Sequence, residues 1–177
     1  MMDDLSLHIL DIAENAVDAG ATRVTITIKE DAAEDLLLIR VSDNGRGMSQ
    51  EERRHALDPF FSTKGKKTGL GLPLLAQTAA MCGGHFAIRS VPKKGTTVEA
   101  GFRLGHVDRP PLTKMTETIV TFVFGHPEVE LHYRHTRDGR SFAFRRRARR
   151  VSASVSPADI LKVRRTLREG LNKIGAG

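Results

Sequence analysis

The sequence predicts an α+β protein: a mixed α/β unit over residues 1–104 followed by a small C-terminal α/β appendage over 105–177. Three observations predict this division. Segments of helical apolar spacing are interleaved with short alternating or β-branched runs. The texture changes after Gly105, with Pro110-Pro111 marking a boundary. The charge also divides unevenly: residues 1–104 carry 13 Lys/Arg against 14 Asp/Glu, whereas 105–177 carry 15 against 7. The two parts therefore present different surfaces, and different partners are expected for them.

Apolar residues Leu5, Ile9, Ile12, Ala13, Ala16 and Ala19 recur at helical spacing, with Gly20 as a stop. Residues 23–29 and 36–42 read as strands joined by an acidic turn, and Asp43-Asn44-Gly45-Arg46-Gly47 follows as a tight loop. Ser49 with Glu51 and Glu52 opens a short helix over 49–57. Residues 58–71 are irregular. A helix over 72–81 has Pro73 in its first turn, where a missing N–H costs nothing. Strands over 85–91 and 96–103 flank the turn Pro92-Lys93-Lys94-Gly95.

The C-terminal part reads as helix, hairpin, helix. Residues 113–124 form a helix capped by Thr113, and strands over 128–136 and 140–146 flank Arg137-Asp138-Gly139. After the basic run Arg145 to Arg150, Ser156-Pro157-Ala158-Asp159 caps a helix reaching Lys173.

Composition excludes several classes. Hydrophobic residues make up 40% of the chain, enough for a packed core. With no apolar run near the roughly twenty residues that span a bilayer and no charged-then-apolar leader, a cytoplasmic protein without a membrane segment is expected. Cys82 is the one cysteine, so neither an internal disulfide nor a cysteine zinc cage is possible; it reads as a small apolar residue near a helix end.

Four short segments carry candidate chemistry. Asp11 and Asn15 lie one helical turn apart and leave the same face. Asn15 supplies a neutral oxygen suited to a hard cation such as Mg²⁺, and a carboxylate one turn away can deprotonate a water. Asp43, at a strand end, can accept an adenine amine, with glycine letting backbone approach the ring. Lys64 to Leu72 places cations and glycines before a helix start, an anion site. Gly95-Thr96-Thr97 sets hydroxyls at a strand start. Each alone has a plain reading: a solvated helix face, a turn, a glycine-rich loop, strand propensity.

Their order resembles the GHKL superfamily (gyrase, the heat-shock chaperones of that class, histidine kinases, MutL), with its Bergerat ATP-binding fold, over residues 5–104. The box Asp11-Ile12-Ala13-Glu14-Asn15-Ala16-Val17-Asp18-Ala19-Gly20-Ala21 is most similar to MutL and the type II topoisomerases. Asp58 to Lys64, Gly69-Leu70-Gly71-Leu72 and Cys82 to Thr97 resemble histidine kinases. The resemblance implies an α/β sandwich, a mixed sheet with helices on one face, that binds ATP and Mg²⁺. It assigns Asn15 to the metal and Asp11 to the base, with Glu14 a weaker candidate. It assigns Asp43 to the adenine amine, with Gly47 under the ring, Gly45 and Met48 in the same set, and Thr96 adding a contact. Residues 58–71 become an ATP lid, with Lys64, Lys66 and Lys67 near the phosphates and Gly69 and Gly71 presenting amides; Thr68, Leu70 and Leu72 complete the set.

The chain leaves no room before Asn15 for a phosphoacceptor helix pair, and too little after residue 104 for a MutL or gyrase transducing domain. A stand-alone histidine-kinase-like regulator, a kinase or slow ATPase acting on a separate protein partner, is therefore the leading expectation. An ATP-driven clamp of the MutL kind and a nucleotide sensor without turnover remain alternatives. The Arg-rich segment suits an acidic protein partner at least as well as nucleic acid, since no base-reading motif accompanies it.

Overall fold

The computed structural model describes residues 4–58, 71–149 and 156–177. Among the described residues eleven elements run α1 (Leu5–Asp18), β1 (Arg23–Asp31), β2 (Leu36–Asp43), α2 (Gln50–His55), α3 (Gly71–Met81), β3 (His85–Val91), β4 (Gly95–Arg103), α4 (Met115–Gly125), β5 (Glu130–Arg137), β6 (Arg140–Arg146) and α5 (Pro157–Ile174). The strands form one six-stranded sheet in the order β3-β4-β2-β1-β5-β6. It is mixed: β1 pairs antiparallel with β2 and parallel with β5, and the other pairs are antiparallel.

Period-two patterning orients this sheet. Val24, Ile26 and Ile28 of β1, Leu37, Ile39 and Val41 of β2, and Leu131, Tyr133 and His135 of β5 are buried. They join one core with Leu5, Ile9 and Ile12 of α1, Leu75 and Ala79 of α3, Ile119 and Phe122 of α4, and Leu167 and Leu171 of α5. Outward positions such as Arg40, Arg134 and Arg145 stay exposed. The sheet with helices on one face expected of the sandwich is thus present. Cys82 is buried just beyond α3, and burial pushes its thiol up.

The order helix, hairpin, helix over 105–177 is present, and its hairpin continues the sheet by laying β5 beside β1, with Ile26 opposite Tyr133. The segment before α4 is strapped to the start of α1. Asp4 caps α1 through Oδ1, which accepts from Ser6 N at 2.9 Å, and its Oδ2 accepts from Thr113 N and Oγ1 at 3.1 and 2.6 Å. Thr113 therefore does not cap the next helix: Lys114 stands at the N-cap of α4, with no side-chain cap bond. The Thr113 amide and hydroxyl both donate to the Asp4 carboxylate instead, a charge-assisted pairing that ties the segment to α1. The other two capping expectations are met, with boxes at Ser49–Glu52 and Ser156–Asp159.

One polar chain is sealed into the β1–β5 seam. His135, 1% exposed, lies with Nδ1 2.9 Å from Tyr133 Oη and Nε2 2.7 Å from Glu30 Oε1. Burial raises the Glu30 carboxyl, but the bond and charge of His135, with Arg137 and Arg109, hold it below its ordinary value. Glu30→Ala is expected to cost about 3 kcal/mol, because it leaves a buried imidazole without its partner. A lowered carboxylate pKa contributes stability that is present above the ordinary Glu range and lost as pH falls through the folded-state value. Urea unfolding of both proteins should therefore show a gap at neutral pH that closes in acid; a gap that widens in acid would refute the assignment.

Candidate functional site

Three elements meet around the loop that follows β2. Asn44 ties the loop to the start of β1: its Oδ1 accepts from Thr22 N and Arg23 N at 2.9 and 2.8 Å, and its Nδ2 donates to Thr22 Oγ1. Arg46 N donates to Ala19 O at the end of α1, and Lys93 N of the β3–β4 turn donates to Arg46 O at 2.7 Å. Gly47 has φ +66°, and a Cβ there would lie 2.0 Å from the Val91 carbonyl oxygen. Glycine is required here by the β3–β4 turn as well as by any ring lying over it.

Asp43 faces this junction. Its Oδ1 accepts from Gly45 N at 2.7 Å and from Thr96 N at 3.3 Å. Among the described residues none donates to Oδ2, which leaves one carboxylate oxygen for an incoming amine. Burial raises the carboxyl above its ordinary value, while the Gly45 and Thr96 amides pull it back. Met48 N donates to Ser90 Oγ at 2.8 Å, and that hydroxyl lies 2.8 Å from Thr96 Oγ1. The structure thus brings Asp43, Gly45, Gly47, Met48 and Thr96 together. Sequence reasoning missed Ser90 and Asn44, which hold the set in place. Asn44 stood in plain view within the glycine loop, whereas nothing marks Ser90 beyond its place at a strand end.

The second half of the site lies along α1. Asn15 is exposed, and Asp11 is partly buried one turn before it. Burial, and then the Glu14 charge, raise the Asp11 carboxyl. Asp11 packs onto the first residue of α3: a Cβ on Gly71 would lie 1.7 Å from Asp11 Oδ2. Glu14 turns toward α4 instead, its Oε2 2.7 Å from His126 Nε2. Leu72 follows Gly71 in the first turn of α3. Lys64, Lys66, Lys67, Thr68, Gly69 and Leu70 lie outside the described residues, as does most of the lid expected over 58–71.

The residues fit the groups the pattern calls for. An unengaged carboxylate oxygen beside a glycine loop matches an adenine amine. Among the described residues no cluster of three or more His, Cys, Asp or Glu gathers to hold a metal unaided. A single amide oxygen at Asn15 suits Mg²⁺, which keeps waters and draws other ligands from phosphates.

This fold and the residues gathered behind β2 fit a nucleotide-binding domain of the ATPase type. A family model described as "Histidine kinase-, DNA gyrase B-, and HSP90-like ATPase" matches residues 2–106, and the chain belongs to that family. Among curated relatives, Sporulation kinase D of Bacillus subtilis is 36% identical over 96 residues, covering 54% of this chain and 19% of its own length. Sensor histidine kinase ZraS of Salmonella typhi is 31% identical over 94 residues, covering 52% and 20%. The chain therefore spans about a fifth of the length of these relatives. Among solved structures, the Aquifex aeolicus MutL ATPase domain complexed with ADP matches with a TM-score of 0.55 at 18% identity, over 93% of this chain and 69% of that one. This likeness is one of fold, and it reaches past residue 106 into the C-terminal segment. ATP binding is supported by the family. Among the described residues no helix is long and apolar enough to cross a membrane.

Proposed function

We propose that this protein is an Mg²⁺-ATP-binding regulator of the histidine-kinase-like kind, a kinase or slow ATPase acting on a separate cytoplasmic protein. The observation that carries the nucleotide reading is Asp43, with Oδ1 held by two backbone amides and Oδ2 unengaged among the described residues, beside Gly45 and Gly47. In this reading Asp43 selects adenine, Asn15 offers its amide oxygen to Mg²⁺, and Asp11 orients and deprotonates a water. Bound Mg²⁺ supplies charge neutralisation at the phosphates. The family resemblance assigns Lys64, Lys66, Lys67, Thr68, Gly69 and Leu70, with Gly71 and Leu72, to the phosphates. Phosphoryl transfer needs little beyond positioning and charge, so the acceptor can belong to another chain.

The partner surface in this reading is the outward face of β5 and β6, where Arg134 and Arg145 are exposed, with Arg147 exposed just beyond the end of β6. The aromatic residues of this hairpin, Tyr133, Phe142 and Phe144, pack toward the core. No Phe or Tyr of the hairpin is left to stack on bases, which favours an acidic protein surface over single-stranded nucleic acid. The residues 1–104 then act as the nucleotide unit and 105–177 as the docking unit. A second reading, an ATP-driven clamp, draws on the fold likeness to the MutL ATPase domain through the C-terminal segment.

Incubation with γ-labelled ATP, alone and with cell extract, tests the proposal. Label on a second protein, or slow release of phosphate, is the expected outcome. ATP that stays bound with no label moved after many hours would remove both enzymatic readings and leave a sensor.

A further inference from the structure

The order of the sheet leaves β6 as one of its two edges. Edge strands are commonly blunted by a proline, a bulge or a covering segment. β6 contains neither proline nor glycine, and its residues pair one to one with β5 without a bulge. The turn before it fixes which backbone groups look outward. Asp138 and Gly139 both have positive φ, 46° and 81°, the two-residue turn whose flanking residues exchange both ladder bonds. Arg137 and Arg140 are that pair, so by alternation Phe142, Phe144 and Arg146 also turn their N–H and C=O to β5. The other side of β5 agrees: Glu130 N and Asp138 N, of the opposite parity, donate to Thr22 O and Glu30 O along β1. The amides and carbonyls of Ser141, Ala143 and Arg145 therefore point away from the sheet, and among the described residues none of them has a backbone partner.

A cleft of about 230 Å³ opens between this strand and α5, with Ser141 and Phe142 on one side and Thr166, Gly170 and Lys173 on the other. Gly170 brings the helix down onto the strand, since a Cβ there would lie 2.1 Å from the Phe142 ring. A strand laid along β6 at the usual spacing of about 4.8 Å would send every second side chain toward α5 and the cleft. Charge restricts what that strand can be. Residues 140–149 hold five arginines and no acidic residue. Two copies of this chain pairing edge to edge through β6 would set these arginines against one another, and like charges facing across a ladder are destabilising. A negatively charged strand is attracted instead. Arg145 already pairs with Glu130, whereas Arg140 and Arg147 are exposed and form no ion pair among the described residues.

We propose that the partner protein docks by strand addition: an extended acidic segment, with small apolar residues at alternate positions, pairs with the β6 edge and turns those apolar residues into the cleft beside α5. The inference rests on the reading of residues 105–177 as the docking unit for an acidic protein. Main-chain bonds to Ser141, Ala143 and Arg145 supply affinity, and the cleft and the arginines select the side chains. Nucleic-acid phosphates accept hydrogen bonds but donate none, so they would leave the three outward carbonyls unpaired.

The test uses the full chain and a fluorescent peptide of alternating Glu and Val, beside the same peptide N-methylated at its Glu residues, whose amides face β6 in this pairing. The N-methyl groups should weaken binding by on the order of tenfold or more, with the charge unchanged. Ala143→Pro should weaken it similarly, because the N–H it removes lies outside the β5–β6 ladder, where an edge strand tolerates proline. Thr166→Trp, on the exposed side of α5, should also weaken binding by filling the cleft while leaving the strand untouched. Unchanged ATP affinity checks the fold of both variants. On peptide binding, hydrogen exchange should slow at Ser141, Ala143 and Arg145 and change little at Phe142, Phe144 and Arg146, which are already paired. Equal binding of the two peptides overturns strand addition and leaves the acidic-partner reading standing. Binding of neither peptide sinks both, and oligothymidylate binding in that case moves the surface to nucleic acid. Protection of the three amides before any peptide is added also overturns the proposal, because this chain then covers its own edge.

Discussion

Asp43→Asn should lose adenine-nucleotide binding by roughly a hundredfold to a thousandfold while leaving the fold in place. The carboxylate uses Oδ1 to accept from Gly45 N and Thr96 N and keeps Oδ2 for the ligand. An Asn side chain has one acceptor and one donor. If its oxygen keeps the two backbone amides, its NH₂ meets the adenine amine donor to donor. If it flips, the same clash falls on the Gly45 amide. Losing a bond to a charged acceptor and leaving a donor unpaired costs about 3–4 kcal/mol in either orientation. Stability should not follow affinity down. Burial raises the Asp43 carboxyl, so its charged form is the penalised one in the fold. That penalty is absent below the ordinary Asp range and grows as pH rises through the raised value. At neutral pH the Asn variant should therefore unfold at the same temperature or a higher one. Calorimetric titration with ATP and GTP decides the matter: unchanged ATP affinity in a folded variant would take Asp43 out of the adenine site.

Local elements were legible in the sequence wherever the signal itself is local. The period-two run of β1, the glycine turn at Asp138-Gly139 and the two capping boxes depend on residues a few positions apart, and all appear as read. The parallel pairing of β1 with β5 was not legible. Ile26 meets Tyr133 across more than a hundred residues, and no turn records such a pairing. The same distance hid the contact of Glu14 with His126 and the claim of Asp4 on Thr113. In the candidate site, Asp43, Gly45 and Gly47 were legible because a strand end, a carboxylate and two glycines follow one another directly. The approach of Gly71 to Asp11 comes from the packing of α3 on α1, which no short window of sequence contains.

Asp11→Asn should leave ATP binding nearly intact and reduce hydrolysis by on the order of a hundredfold to ten-thousandfold, while Glu14→Gln should leave turnover close to normal. A base acts on the chemical step, where its removal costs most. Two observations separate the carboxylates. Asp11 is half-buried, and burial, then the Glu14 charge, raise its carboxyl above the ordinary value. Glu14 Oε2 is engaged by His126 Nε2 at 2.7 Å, on the α4 side of the helix. Asp is shorter than Glu by a methylene, which gives up reach. The seat against Gly71 bears on that cost, because it fixes where Asp11 Oδ2 stands relative to the start of α3. Small displacements of such a group cost orders of magnitude, so Gly71→Ala, whose Cβ would displace that oxygen, should lower turnover as Asp11→Asn does while Asp11 keeps its carboxylate. Asn15→Ala differs in kind, because losing a metal ligand weakens Mg²⁺-ATP binding itself. Steady-state hydrolysis and equilibrium binding across the four variants give the answer. If Glu14→Gln abolishes turnover and Asp11→Asn does not, the base is Glu14, and the bond to His126 is then a latch that must open before the reaction.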